Sequence, residues 1–193
     1  MALTLATPIA LARTILNDPN AVTYSAADLL SYANDALDAM IPAAPHLFHV
    51  HTTVTCVAGT KQAVTATGAM ALKAVHRVQG GNAVLPADKQ ALDAYDPTWH
   101  TAASAAAVNW APDLGDDLGF FVSPPAAAGQ VLEVIILQAP AEYGVNDDTG
   151  IPDGYAPAIA DYIVYRAESR DAEHVNSNRA AQYLASFNTR MGT

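Results

Sequence analysis

The pattern of apolar and polar positions predicts two helices at the start of the chain. Thr7 and Pro8 are typical of a helix N-terminus, with Thr as the cap, and residues 17–20 (Asn-Asp-Pro-Asn) end this helix. Ser25 followed by Asp28 is a capping pattern that predicts a second N-terminus. Apolar residues then recur at three- and four-residue steps until a proline-rich segment stops the second helix.

The middle of the chain has the pattern of strands. Residues 47–57 are rich in Val, Thr, Phe and His, and residues 62–67 are expected to form the partner strand across a turn at 58–61. A short helix is predicted near 87–95, after Pro86. Further strands are predicted at residues 70–79, 120–125 and 131–138.

The last part of the chain predicts one long helix. Residues 152–154 (Pro-Asp-Gly) form a turn, Pro157 suits a first helical turn, and neither Gly nor Pro occurs from there until Gly192. Apolar residues recur at helical spacing as far as Phe187. Helices, then strands, then a helix indicate an α+β fold: a helical bundle of the N-terminal helices and the long C-terminal helix, with an inserted β-rich region.

The composition is that of a globular chain with more acidic than basic residues. Of its 193 residues 51% are hydrophobic and 15% are charged, enough for a folded domain with a core. Nine basic against nineteen acidic residues give a net charge of −10, which argues against a protein that grips a phosphate backbone. The same charge suits an acidic wall past which DNA slides.

Targeting signals and cysteine usage add two expectations. No apolar run approaches the roughly twenty residues that span a bilayer, and the N-terminus lacks the features of a signal peptide. We therefore expect synthesis in a cytoplasm and no membrane partner. The single cysteine, Cys56, is expected to pack in the core.

Three histidines form the main candidate metal site. His49 and His51 lie on one face of the predicted strand, and His46 is nearby. Together with loop aspartates they are the basis of an alternative hypothesis, a small metal-dependent hydrolase. No acidic or sulfur ligand lies between His46 and His51, so surface histidines are the simpler interpretation.

Two aspartate motifs also invite a catalytic interpretation. The cluster of Asp147, Asp148 and Asp153 could bind calcium weakly, but its spacing does not match that of a helix–loop–helix calcium loop. Residues 148–150 (Asp-Thr-Gly) match the tripeptide of aspartic proteases. No hydrophobic strand precedes this tripeptide, so it is interpreted as a turn. Residues 115–117 (Gly-Asp-Asp) resemble a polymerase metal motif but lie in a Pro- and Gly-containing loop. The sequence therefore predicts no catalytic, cofactor-binding or metal-binding residue, and no enzyme.

A set of short motifs follows a fixed order along the whole chain. They are residues 15–18, 24–30, 34–36, 58–62, Asp88, Leu92, Asp93, 97–99, 121–125, 152–155, 161–173, Arg179, Ala180 and Phe187. Together they resemble the adaptor proteins of tailed bacteriophages. These are head-to-tail connector proteins, similar in style to the tail tubular protein A of short-tailed phages.

This resemblance implies a structural virion protein made of a single adaptor-like domain, residues 1–193. Residues 1–45 and 151–193 are expected to form the helical bundle, and residues 46–150 the β-rich insertion. The chain is expected to form a homo-oligomeric ring, a dodecamer, at the head–tail interface. The ring would lie between the portal protein and a tail tube or nozzle protein. DNA would pass through its lumen without sequence-specific binding, and no cofactor is implied. The alternative is a tail-side tube or nozzle component.

Several side chains of these motifs are expected to pack rather than to form ligand sites. Trp99 and Trp110 are expected in the core or between subunits. On the C-terminal helix, packing with a snorkelling guanidinium is expected of Tyr162, Tyr165 and Arg166. Either a partner-binding arm or packing against the bundle is expected of the N-terminal residues Leu3, Leu5 and Ile9.

Overall fold

The computed structural model describes residues 2–170 and 177–192. Within these residues the chain contains five α-helices and nine β-strands, so the prediction of an α+β fold is confirmed. No helix in the described ranges is both long enough and apolar enough to cross a membrane.

The elements are numbered in chain order. The helices are α1 (Ala6–Leu16), α2 (Ala26–Met40), α3 (Lys89–Tyr95), α4 (Ala156–Glu168) and α5 (Ser177–Met191). The strands are β1 (Ala2–Thr4), β2 (His49–Thr55), β3 (Gly59–Ala63), β4 (Ala69–Val78), β5 (Leu85–Pro86), β6 (Asn109–Pro112), β7 (Gly119–Ala126), β8 (Val131–Gln138) and β9 (Asp148–Pro152). Short 3₁₀ helices lie at Pro45–Phe48, Trp99–Thr101 and Asp153–Tyr155.

The chain divides into two compact units. A mainly helical unit consists of Met1–Leu47 together with Pro140–Thr193, and a β-rich unit consists of Phe48–Ala139. The helical unit contains α1, α2, α4, α5 and the pair β1–β9. The β-rich unit contains the seven remaining strands and α3.

Both N-terminal helices form near their predicted positions. α2 begins after Ser25, whose Oγ accepts the backbone N–H of Asp28 at 3.0 Å, as the capping pattern predicts. α1 begins at Ala6 without a side-chain cap. The capping role predicted for Thr7 is wrong, because the carbonyl of Leu5 already accepts the N–H of Ile9 at 3.1 Å and so starts the helix before Thr7.

α4 is the central helix of the helical unit. It contacts α1, α2 and α5, and nine of its 13 residues are buried. Ile159, Ile163 and Val164 are each 0% exposed. Two acidic residues, Asp161 and Glu168, are buried in the same helix. A buried carboxylate is costly unless it is paired. Asp161 and Glu168 therefore need charged or hydrogen-bonding partners from the neighbouring α5.

The prediction of one continuous C-terminal helix is wrong. α4 ends at Glu168 and α5 begins at Ser177; residues 171–176 of the predicted helix lie outside the described residues. The two helices pack on each other, with the rings of Tyr162 and Phe187 5.1 Å apart. A helix can end without Gly or Pro, and packing two apolar faces together buries more surface than a single helix buries alone.

The N-terminus forms a strand of the helical unit. β1 pairs antiparallel with β9, which buries Leu3 and Ile151. The turn predicted at residues 148–150 is therefore wrong. Thr149 and Ile151 alternate with exposed residues, which is strand periodicity, but Gly150 within the segment disguised it.

The β-rich unit consists of two sheets that share one core. The strand order is β2-β8-β4 in the first sheet and β3-β7-β6-β5 in the second. The predicted pairing of the second strand with the first is wrong, because β2 pairs with β8, the most apolar strand, and β3 pairs with β7. The core contains Val54, Cys56, Val64, Val75, Val84, Ala107, Trp110, Phe120, Val122, Ala126, Leu132, Val134 and Ile136.

Candidate assembly surfaces

The three candidate metal-binding histidines lie on two different elements. His46 belongs to the 3₁₀ helix at Pro45–Phe48, whereas His49 and His51 are exposed on β2. The ring of His51 lies 5.5 Å from that of His76 on β4. Among the described residues, no group of three or more His, Cys, Asp or Glu side chains is placed to hold a metal ion.

The aspartates ahead of α4 bind backbone groups. Asp147 Oδ2 accepts the N–H of Gly144 at 2.7 Å, and Asp148 Oδ1 accepts the N–H of Gly150 at 2.8 Å. Thr149 is buried and donates its hydroxyl to the Leu3 carbonyl at 2.8 Å. These contacts stabilise the turn before β9 and the strand itself, so the Asp-Thr-Gly tripeptide has a structural role here.

The Gly-Asp-Asp motif is likewise part of a turn. Asp116 Oδ1 accepts the N–H of Leu118 at 3.0 Å, and Asp113 Oδ1 accepts the N–H of Gly115 at 3.2 Å. Asp113 also pairs with Lys61 at 2.9 Å, and this ammonium group is the main cause of the lowered pKa of the Asp113 carboxyl. The turn is thereby tied to β3.

A dense group of polar and aromatic side chains surrounds Asp93 at the end of α3. Asp93 Oδ2 lies 2.7 Å from Lys89 Nζ, and Oδ1 accepts the indole N–H of Trp99 at 2.8 Å. His100 Nε2 lies 3.7 Å from the same carboxylate. The Lys89 hydrogen bond, followed by that of Trp99, lowers the pKa of Asp93. We refer to Asp93, Lys89, Trp99, His100 and Phe121 as the Asp93 cluster.

The Asp93 cluster fastens α3 and the following 3₁₀ helix to the sheet. The His100 ring stacks on Trp99 at 3.7 Å, and its Nδ1 lies 3.0 Å from the hydroxyl of Thr60 on β3. The Phe121 ring of β7 contacts the Trp99 ring edge-on, with 6.3 Å between their centroids. Lys89 Nζ lies 5.5 Å from the centroid of the Phe121 ring. Trp99 is 2% exposed, so it packs inside this unit.

The motif residues of α4 connect three helices. Arg166 Nη2 lies 3.0 Å from Asp35 Oδ2 on α2, and the guanidinium lies over the Tyr32 ring at 5.5 Å. The Tyr162 ring contacts Tyr165 at 5.5 Å as well as Phe187 of α5. These side chains pack between helices, as the sequence predicts.

Comparison with known protein families identifies the chain. The model of the family described as "SU10 adaptor protein" matches residues 3–193, nearly the whole chain. This chain belongs to the SU10 adaptor protein family. It is a family of phage head–tail adaptors, so the resemblance found in the motifs is confirmed and the chain is a phage structural adaptor. No curated protein matches the chain.

The N-terminal residues of this chain are packed. Leu3 and Leu5 are 1% and 0% exposed, and Ile9 is buried beside them in the helical unit. Of the two expectations for this segment, a partner-binding arm or packing, the structure shows packing.

One contact of the adaptor motifs was missed by sequence reasoning. Asn34 Nδ2 donates to the carbonyls of Leu30 and Tyr143 at 3.1 Å each, and Asn34 Oδ1 accepts the N–H of Tyr143 at 2.9 Å. This side chain therefore holds the segment ahead of β9 against α2. Asn34 was recognised only as part of a family motif, because its partner lies 109 residues away.

Large apolar side chains are exposed on the β-rich unit. Tyr95 and Leu114 are 93% and 95% exposed, and Leu85 and Val108 are more than half exposed. Scattered exposed apolar residues are common, but a Tyr and a Leu that are almost fully exposed are candidates for contacts made on assembly.

Proposed function

We propose that this chain is a structural virion protein that forms a ring-shaped head-to-tail adaptor. In this role it joins the portal protein to the tail and forms part of the DNA channel. The observation that carries the proposal is the family match over residues 3–193. The whole chain acts as one adaptor-like domain, in which the N-terminal and C-terminal helices form a bundle and the β-rich segment is inserted between them.

A ring requires each copy to present two different surfaces to its neighbours. The exposed Tyr95 and Leu114 support such contacts, since both would lose solvent exposure on assembly. The proposed ring is a dodecamer. It contacts the portal protein and a tail tube or nozzle protein.

The charge of the chain supports a passive role towards DNA. With nineteen acidic and nine basic residues, the net charge of −10 disfavours adhesion to phosphates. An acidic lumen repels the duplex, so DNA moves through it without being held. We propose no sequence-specific contact with DNA and no contact with a membrane.

We assign no catalytic, cofactor or metal role to the chain. The carboxylates of Asp116, Asp147 and Asp148 all accept backbone N–H groups in turns and strand ends. Asp93 is held by Lys89 and Trp99. The protein is proposed to be made in the host cytoplasm and to reside in the virion at the head–tail interface.

The test is the mass, measured by light scattering, of the purified chain alone and mixed with the purified portal protein of the same genome. The proposal predicts a large complex with the portal protein, and the mass of that complex gives the number of copies. A chain that ignores the portal protein but assembles with the tail-side protein would instead be a tail-side tube or nozzle component. A chain that binds neither protein contradicts the proposal.

A further inference from the structure

Strand β2 leaves one edge of its sheet open. Among the residues that the structure describes, it pairs with β8 alone, in a register without irregularities from His49 to Thr55. The N–H of Cys56, just beyond β2, donates to the carbonyl of Gln130 on the β8 side at 2.7 Å. Backbone groups of an antiparallel strand alternate between its two edges. Residues 51, 53 and 55 therefore direct their N–H and carbonyl groups away from β8.

The other outer strands of these sheets are protected. β3 has a register shift between Gly59 and Lys61 and carries that exposed lysine. On the outer side of β4, the backbone carbonyl of His76 accepts the N–H of Val84 at 2.9 Å. Three register shifts also interrupt this strand. β5 contains Pro86. Lysine, proline and irregular register are the features that prevent strand addition, and β2 has none of them.

The charge pattern indicates where two copies of this acidic chain can meet. Between Asp38 and Lys61 the sequence has 22 residues (39–60) without Asp, Glu, Lys or Arg, and between Asp96 and Asp113 it has 16 (97–112). No other stretch of the sequence free of these residues is as long. Since each copy carries a net charge of −10, segments without charged side chains are where like copies approach with least repulsion. Glu133, which lies opposite Thr53 on β8, is paired with Arg77 at 2.7 Å. The first stretch contains β2.

The second uncharged stretch contains an exposed segment without regular structure. Residues 102–106 (Ala-Ala-Ser-Ala-Ala) are all exposed. Ala102 has φ −59° and ψ 160°, close to the polyproline II conformation. Within the segment, the N–H of Ala105 donates to the carbonyl of Pro125 at 3.1 Å, which ties one point of it to β7. Its small side chains allow another backbone to approach closely.

We infer that β2 of one adaptor copy accepts residues 102–106 of the neighbouring copy as an added strand. The inference rests on the proposed ring and assigns a contact between its subunits. The contact joins two different surfaces, as a closed ring requires, whereas two β2 strands would form a two-fold pair that is complete with two copies. Main-chain hydrogen bonds supply the attraction, as in other cases of strand addition.

Cross-linking tests this contact directly. Two single variants, Thr53→Cys and Ser104→Cys, are mixed and assembled into rings on the purified portal protein of the same genome. Both positions are exposed, whereas the natural Cys56 is 3% exposed and does not compete. A short bifunctional thiol reagent is expected to link the two variants into dimers. As a control, Lys73→Cys, at an exposed position of β4, replaces Thr53→Cys and is expected to give no such link.

Backbone substitution provides a second measurement. Thr53→Pro removes an outward N–H and retains the bonds of β2 to β8, while Thr53→Ala retains that N–H and removes only the side chain. Thr53→Pro is expected to weaken ring assembly roughly three- to tenfold, and Thr53→Ala less than about twofold. In the unsubstituted chain, amide exchange at residues 51, 53 and 55 is expected to slow on assembly, while that at residues 50, 52 and 54 is slow throughout.

The outcomes separate this inference from the proposed function. Rings that form on the portal protein without the cross-link, or with fast exchange at Thr53, overturn the strand addition and leave the adaptor proposal intact. Thr53→Cys copies that link to one another show a β2–β2 pair and also overturn it. If no ring forms with the portal protein, the proposed function fails and the inference fails with it.

Discussion

Asp161 on α4 and Arg190 on α5 are joined by a hydrogen-bonded ion pair, with Asp161 Oδ2 2.7 Å from Arg190 Nε. The same oxygen accepts the hydroxyl of Ser186 at 2.6 Å, and Asp161 is only 5% exposed. The two residues are 29 positions apart, which would correspond to about 43 Å along one continuous helix. The pair therefore requires α5 to fold back along α4.

Removing Arg190 should destabilise the helical unit. Arg190→Ala leaves the buried Asp161 carboxylate with Ser186 as its remaining partner. We expect a loss of about 1–3 kcal/mol in the free energy of unfolding. This is less than for a fully buried pair, because the Arg190 side chain is half exposed. The measurement is urea unfolding with analysis of midpoint and slope.

The matched control for Arg190→Ala is Arg170→Ala. Arg170 pairs with Asp28 at 3.2 Å, but both side chains are more than a third exposed. Its removal should cost less than about 1 kcal/mol. Equal losses in the two variants would contradict a special role for the Asp161–Arg190 pair.

Asn34 should be sensitive even to a substitution of the same shape. Asn34→Asp retains an acceptor for the N–H of Tyr143 but places a carboxylate against the carbonyls of Leu30 and Tyr143. We expect a loss of about 1–3 kcal/mol at pH 7, measured by thermal or urea unfolding. The exposed Asn146→Asp is the control and should change stability by less than about 0.5 kcal/mol. Similar effects of both substitutions would refute the proposed fastening.

Features set by neighbouring residues could be predicted from the sequence. The Ser25 cap of α2, the short helix α3 and strands β4, β7 and β8 follow from local patterns of capping and apolar periodicity. The break between α4 and α5 could not be predicted this way. A periodic pattern without Gly or Pro fits one long helix and two antiparallel helices equally well, and only the contacts between distant residues distinguish them.

The same distinction explains what was missed in the candidate site. Trp99 and Asp93 were recognised as motif residues, but their hydrogen bond and the link of His100 to Thr60 depend on how α3 meets the sheet. β9 was missed because Gly150 and Pro152 are turn formers, and it becomes a strand only by pairing with β1. Family resemblance, in contrast, depends on the order of short motifs and needs no contact to be known.

The Asp93 cluster should make stability depend on acidity. Because the pKa of Asp93 is lowered in the folded chain, chiefly by Lys89, the ionised carboxylate stabilises the fold at pH values above its unfolded pKa, about 4. That stabilisation disappears as the pH falls through the lower, folded pKa. Asp93→Asn should therefore be less stable than the unsubstituted chain at pH 7, and the difference should shrink towards pH 3. Unfolding followed by tryptophan fluorescence measures it, and a pH-independent difference would contradict the prediction.

Cys56 should be unreactive in the folded chain. Burial raises the pKa of its thiol to about 11, and the side chain lies in the core of the β-rich unit at 3% exposure. Only the thiolate is a strong nucleophile, so at pH 8 both access and ionisation oppose modification. In Ser104→Cys, a chromogenic thiol reagent should therefore modify one thiol at once and the other at the rate at which the unit opens. Denaturant should make the two thiols react alike, whereas two fast thiols in the native chain would show that Cys56 is accessible.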